Sequence, residues 1–282
     1  MSDPVESLLY DAAGDGDVSE VSSLLRDHAE INVNWTNPYN FRQTALHAAC
    51  YYGRVEVVKL LLAHPGINVN LKDDFGITSL SKGCRNDKMS IVQLLLKDPR
   101  VDVTLSDDHE CTPLWWASRS GYREVIEWLI ASGRDLGDVR NKKGKYWFGK
   151  DYTALEIARE NKMSEVVSVQ ERFVANPALT RHELRVKLGV LDELAAEVFA
   201  LTVFLCDDLL QLKLASHPAA TSNPAAAFRF FTIAKRLPME LQMILCHRAV
   251  DSAKESVLRK DSEAAFHSLA KNLLLHLDSQ SK

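Results

Sequence analysis

Apolar positions in this chain fall into short helical stripes that return at a fixed interval. The stretch Gln43 to Leu62 holds a Thr-Ala-Leu-His turn, a short apolar helix, a glycine break and a second helix rich in Val and Leu. Thr44, Thr78 and Thr112 open successive copies, since 78 − 44 = 34 and 112 − 78 = 34, and Val58, Val92 and Ile126 keep the same step. Two independent landmarks sharing one period of 34 residues predict stacked two-helix layers.

The copies differ in informative ways. The first is degenerate: Ser7-Leu8-Leu9 aligns with Thr44-Ala45-Leu46, Gly16 with Gly53, and Val18, Val21, Leu24 and Leu25 form its second stripe. The second is cleanest but starts late, with the excess in Trp35 to Phe41. The third keeps its turn, Asp74 to Leu80, but has Ser81 in place of histidine and Asp87 in place of the helix-ending glycine. The fourth places Pro113 at the first helical position and keeps Gly121. The fifth opens at Thr153, and 153 − 112 = 41, so it carries an insertion around Asn141 to Phe148; Lys162 replaces its glycine.

Thr44-Ala45-Leu46-His47, Ala48-Ala49, Gly53, Val57-Val58, Leu60-Leu61-Leu62 and Asn68-Val69-Asn70 resemble the ankyrin repeat. The resemblance implies an all-α solenoid of five helix-turn-helix-β-turn units over residues 5–176, a domain at 1–177. Threonine would cap each first helix, glycine would end it in the left-handed region, and the small alanines would let layers approach. It also implies that protein partners dock on a concave face of finger tips and first helices. By register that face carries Phe41, Tyr51 and Tyr52 from repeat two, and Phe75 and Arg85 from repeat three. Repeat four gives His109 and Arg119, repeat five gives Tyr152, and the insertion adds Lys145, Tyr146 and Trp147. Phe41, Tyr51, Tyr52 and Phe75 exposed together would form an interface-type apolar patch. Trp115 stands at the histidine position and is expected to be partly buried rather than a partner anchor.

After Asn176-Pro177 the period is lost, and residues 178–282 read as a helical C-terminal region. Thr180-Arg181-His182-Glu183 has the form of a capping box, predicting a helix from Thr180, broken near Gly189, to about Ala215. A loop is expected at His217 to Pro224. Further helices are expected at Ala225 to Arg236, Met239 to Ala253 and Ser262 to Leu277. The segment Leu237-Pro238-Met239-Glu240-Leu241 with Ile244-Leu245 resembles the opening of an F-box. That resemblance implies docking on the small adaptor subunit of a cullin ubiquitin ligase; a plain helix start with proline in its first turn explains the same residues.

Composition narrows the function. An apolar fraction of 46% is ordinary for a globular chain, and a net charge of −4 argues against strong attraction to nucleic acid or anionic membrane. Five scattered cysteines without a CxxC pair suggest neither a disulfide framework nor a zinc site. No secretory signal or membrane span is expected. Asp73-Asp74 and Asp107-Asp108 recur at finger positions, where capping of turns is the expected role rather than cation binding. His182, Asp207, Asp208 and His247 form no catalytic constellation. The basic-aromatic insertion, Arg140 to Lys150, allows three readings: a protein-binding loop, a finger packed on the stack, or a base-stacking site. The expectation is a monomeric, intracellular, non-enzymatic interaction protein without cofactor or metal, cytoplasmic or nuclear. Its partner would be a protein, with a ubiquitin-ligase adaptor role as the alternative.

Overall fold

The computed structural model describes residues 4–145, 149–206, 230–234, 236–250, 252, 254, 256–258, 261–266 and 268–269. The chain divides into two compact units, Met1–Leu184 and Arg185–Lys282.

The first unit is built from five helix pairs: α1 (Val5–Asp15) with α2 (Val18–Asp27), α3 (Ala45–Tyr52) with α4 (Val55–Ala63), α5 (Ser79–Arg85) with α6 (Met89–Lys97), α7 (Pro113–Ser120) with α8 (Arg123–Ala131), and α9 (Ala154–Glu160) with α10 (Ser164–Ala175). Thr44, Thr78, Thr112 and Thr153 each accept a hydrogen bond from the backbone N–H three residues on, which fixes where α3, α5, α7 and α9 begin. Small side chains make close stacking of the first helices possible: Ala48, Ala49, Cys84, Ala117 and Ala158 are fully buried. The second helices supply the apolar mass, with Val57, Val58 and Leu61, then Ile91, Val92 and Leu95, then Val125, Ile126 and Leu129 shut away from water. Each such side chain contributes roughly 1.5–3 kcal/mol by burial.

α3 and α7 end at Gly53 and Gly121, whose φ values of +76° and +78° suit a residue without a Cβ. Where the sequence offers no glycine the backbone takes the same path: Asp87 and Lys162 sit at φ +52° and +59°.

Two ladders tie the layers together. At the finger end, Asp74 N–H donates to the Phe41 carbonyl at 3.0 Å and Asp108 N–H to the Phe75 carbonyl at 3.1 Å. Lys145 N–H then donates to the His109 carbonyl at 2.7 Å. At the other end, Asn34 Nδ2 reaches the Gly66 carbonyl and Asn70 Nδ2 the Arg100 carbonyl, both at 2.8 Å. The Asn-Val-Asn segments therefore act as rungs, with Val33 and Val69 buried beneath them.

The fifth repeat departs from a purely helical layer. β1 (Lys143–Lys145) pairs antiparallel with β2 (Asp151–Thr153), with Gly144 opposite Tyr152. The described residues of this connection thus include a two-stranded finger.

The helix after the repeats starts earlier than the Thr180 capping box predicts. α11 (Pro177–Lys187) opens at Asn176-Pro177, where Asn176 Oδ1 accepts from Leu179 N–H at 3.1 Å. Thr180 is inside the helix and buried, and Glu183 pairs with Arg172 instead of reaching back to a cap. The physical reason is that asparagine followed by proline is itself a strong helix start, and it comes first.

In the second unit α12 (Val190–Cys206) follows Gly189, where the predicted break falls. α12 packs on α13 (Met239–Ala249), with Thr202 Oγ1 3.8 Å from Cys246 Sγ. Ala196, Ala200 and Ala265 form a small core, flanked by Phe199 against Phe266 with ring centroids 6.3 Å apart. The expected loop at 217–224 lies outside the described residues, as do Asp207 and Asp208. Among the described residues no helix is long and apolar enough to cross a membrane.

Candidate functional site

The fingers of repeats three and four are shaped by their aspartates. Asp73 Oδ1 accepts from the N–H groups of Phe75 and Ile77, at 3.0 and 2.9 Å. Asp107 Oδ1 does the same for His109 and Cys111, both at 2.9 Å. Each carboxylate thus holds its own turn closed. The second oxygens find different partners. Asp73 Oδ2 meets Lys82 Nζ at 2.7 Å in a buried ion pair, and Asp107 Oδ2 accepts from Trp116 Nε1 at 2.9 Å. Turn capping is thus a role these carboxylates fill.

Between those two fingers a cavity of about 460 Å³ opens. Phe75 and Ile77 form one wall, and Trp115 and Trp116 form another, their rings perpendicular at 84° with centroids 5.2 Å apart. Cys111 and Asp107 lie deeper, and Arg85, His109 and Lys145 stand at the rim. Trp115 and Trp116 are both buried, and their indole N–H groups are held by Tyr152 and Asp107. Their edges are therefore satisfied, which leaves apolar ring surface to face the cavity.

The rim is basic. The Arg85 guanidinium lies 4.4 Å from the Trp116 ring centroid, and that of Arg119 lies 5.6 Å away. Lys145 Nζ pairs with Glu110 at 2.8 Å; this contact raises the lysine's affinity for its proton and lowers that of the glutamate. Burial, reinforced by Asp107, pushes the Cys111 thiol above its usual range, so it stays protonated and is a poor nucleophile. Gly144 of β1 sits against this wall: a Cβ there would come within 2.6 Å of Cys111 Sγ and 3.1 Å of Trp115 Nε1. The close approach of backbone to indole requires glycine.

Several residues named from register meet here: Phe75, Arg85, His109 and Lys145 border the cavity, Arg119 faces Trp116, and the Tyr152 carbonyl anchors Trp115. Phe41 extends the apolar wall, with its ring centroid 5.0 Å from that of Phe75; both are exposed, at 54% and 45%. Tyr51 and Tyr52 form a separate exposed pair on α3, perpendicular at 89°, with Arg54 over the Tyr52 ring. Tyr146 and Trp147 lie outside the described residues. Register reasoning missed the cavity itself and Trp116 as its wall. A bulky aromatic where the repeat wants a small residue, as at Ala48, was the available signal.

His47 is the one histidine at the family's repeat position. Its Nδ1 accepts from Thr44 N–H at 3.2 Å, so Nε2 carries the proton and donates to the Ile77 carbonyl at 3.0 Å. Burial lowers its pKa to about 4, so it is neutral and structural at physiological pH.

The family model of ankyrin repeats (3 copies) matches residues 3–73 and 65–140. No curated protein matches the chain. The matched residues cover α1 to α8, whose threonine caps, helix pairs and finger ladder are those described above. The chain is an ankyrin-repeat protein.

Proposed function

We propose that the chain is a non-catalytic interaction module that binds a partner protein on the concave face, over the fingers of repeats two to four and the two-stranded finger of repeat five. Ankyrin repeats are in general protein–protein interaction modules. The supporting observation is the continuity of Phe41 and Phe75 with the tryptophan-walled cavity: exposed aromatic rings leading into an open apolar recess. Stacking does not need such residues, and aromatic side chains with arginine dominate binding hot spots. A surface already ordered by its ladders loses little entropy on association.

Proximity labelling in the native cell tests this reading, comparing the full chain with a Phe41→Ser, Phe75→Ser variant. Loss of a defined set of neighbours is expected. An unchanged set would remove the concave face from consideration.

A second reading, substrate recruitment to a cullin-type ubiquitin ligase, has one supporting observation. Met239 and Leu241, in the first turn of α13, are exposed, as a helix start that docks on a partner needs. Leu237→Ala with Pro238→Ala in the full chain would then abolish co-purification of the adaptor subunit. Absence of that subunit from wild-type pull-downs would end this reading.

A further inference from the structure

Arg85 differs from many of the stack's arginines in what holds it, although Arg119 also approaches the Trp116 ring. Arg100 chelates Asp98, Arg123 bridges Glu127 and Glu165, Arg159 meets Glu171, and Arg54 donates to the Gly14 carbonyl. Arg85 is exposed and lies on the Trp116 ring; among the described residues no carboxylate pairs with it. Stacking fixes a guanidinium by its face and leaves its N–H edges available for a planar acceptor, in the fork geometry that carboxylates match. Beside it lies the cavity of about 460 Å³, within the size range of ligand sites of about 300–1,000 Å³. Its indole N–H groups and the Asp107 carboxylate are already hydrogen-bonded, so its walls ask for an apolar occupant. The rim also carries Glu110, but Lys145 at 2.8 Å and Lys142 at 3.8 Å match that charge.

We infer that the recess between repeats three and four receives a large apolar side chain of the partner while Arg85 binds the carboxylate of an Asp or Glu close to it in the same segment. This rests on concave-face docking as proposed above and states which partner segment that face selects. The apolar side chain supplies the buried contact, and the stacked arginine sets the sign of the neighbouring charge.

Selection of random peptides displayed on phage against the full-length protein and its Arg85→Glu variant tests the inference. Arg85 is exposed, so the exchange leaves the layers intact. Wild type is expected to enrich a Phe, Trp or Leu within a few residues of Asp or Glu. Arg85→Glu is expected to keep the apolar residue and exchange its neighbour for Lys or Arg. Arg85→Ala should weaken a selected peptide about tenfold or more, read by the fluorescence of Trp115 and Trp116. Enriched peptides without a nearby acid, with a basic neighbour, or identical for Arg85→Glu would overturn the inference. If those peptides still lose binding in Phe41→Ser, Phe75→Ser, concave-face docking stands without it. If no enriched peptide responds to either set of substitutions, both fall.

Discussion

Trp115 Nε1 donates to the Tyr152 carbonyl oxygen at 2.8 Å. His47 makes the equivalent bond to Ile77 at 3.0 Å, and in both cases the acceptor immediately precedes the capping threonine of the next repeat. The indole therefore takes over the imidazole's task of tying one layer to the next. Trp115→Phe keeps most of the volume and leaves the Tyr152 carbonyl without this donor, so a loss of about 1–3 kcal/mol is expected. Urea denaturation followed by circular dichroism checks it; an unchanged midpoint would show that the bond contributes nothing.

The two bonds differ in their response to acid, since an indole N–H does not titrate. Burial holds His47 down to about 4 from its ordinary 6.5, with Lys82 adding to the effect and Asp73 opposing it. The unfolded chain takes up this proton at higher pH than the folded one. Its stabilising contribution is thus complete above pH 6.5 and is lost as pH falls toward 4. At ~1.4 kcal/mol per unit the loss totals about 3 kcal/mol. Unfolding free energies measured at several pH values in this window should fall for wild type. They should fall less steeply for His47→Gln.

Lys82 and Trp116 stand 34 residues apart, since 116 − 82 = 34, and each reaches the second oxygen of its own turn aspartate. The choice of cation or indole has consequences for substitution. Lys82→Met leaves the buried Asp73 carboxylate without a counter-charge and should cost about 3–5 kcal/mol. Lys82→Met combined with Asp73→Asn should cost less than the single change, because no charge is stranded. Thermal unfolding of the two variants side by side decides this, and equal losses would refute the coupling.

Asp87 and Lys162 hold left-handed backbone where other repeats have glycine. Asp87→Gly and Lys162→Gly relieve that conformation at exposed sites. Each should stabilise the chain by up to roughly 1 kcal/mol, Lys162→Gly more than Asp87→Gly because aspartate tolerates the region better. Differential scanning calorimetry reads the gain as a raised Tm.

The stack was legible because its signals are local and repeated. A threonine cap, a small-residue helix and a Val/Leu stripe each act within a few residues, and five copies in register average out the deviations. Thr180 shows the limit: its capping box is a sound local pattern, but Asn176-Pro177 starts the helix first and leaves Thr180 inside. The recess was not legible because it depends on differences between layers. Trp116 replaces a small residue, Arg85 lies on it from the preceding repeat, and Gly144 brings the inserted finger against Trp115. Such pairings, across 31 and 29 positions, leave no periodic trace.

Lys145 binds the His109 carbonyl in the place that Asp108 takes on Phe75 and Asp74 on Phe41. From Asp108 to Lys145 the chain uses 145 − 108 = 37 residues, three beyond the period, and from Lys145 to Thr153 it uses eight where Asp108 to Thr112 uses four. The surplus is thus split on either side of a rung that keeps its beat. Chain length at this finger is uncoupled from the spacing of the layers: a repeat can lengthen its connection on both sides of the rung while the solenoid beneath stays in step.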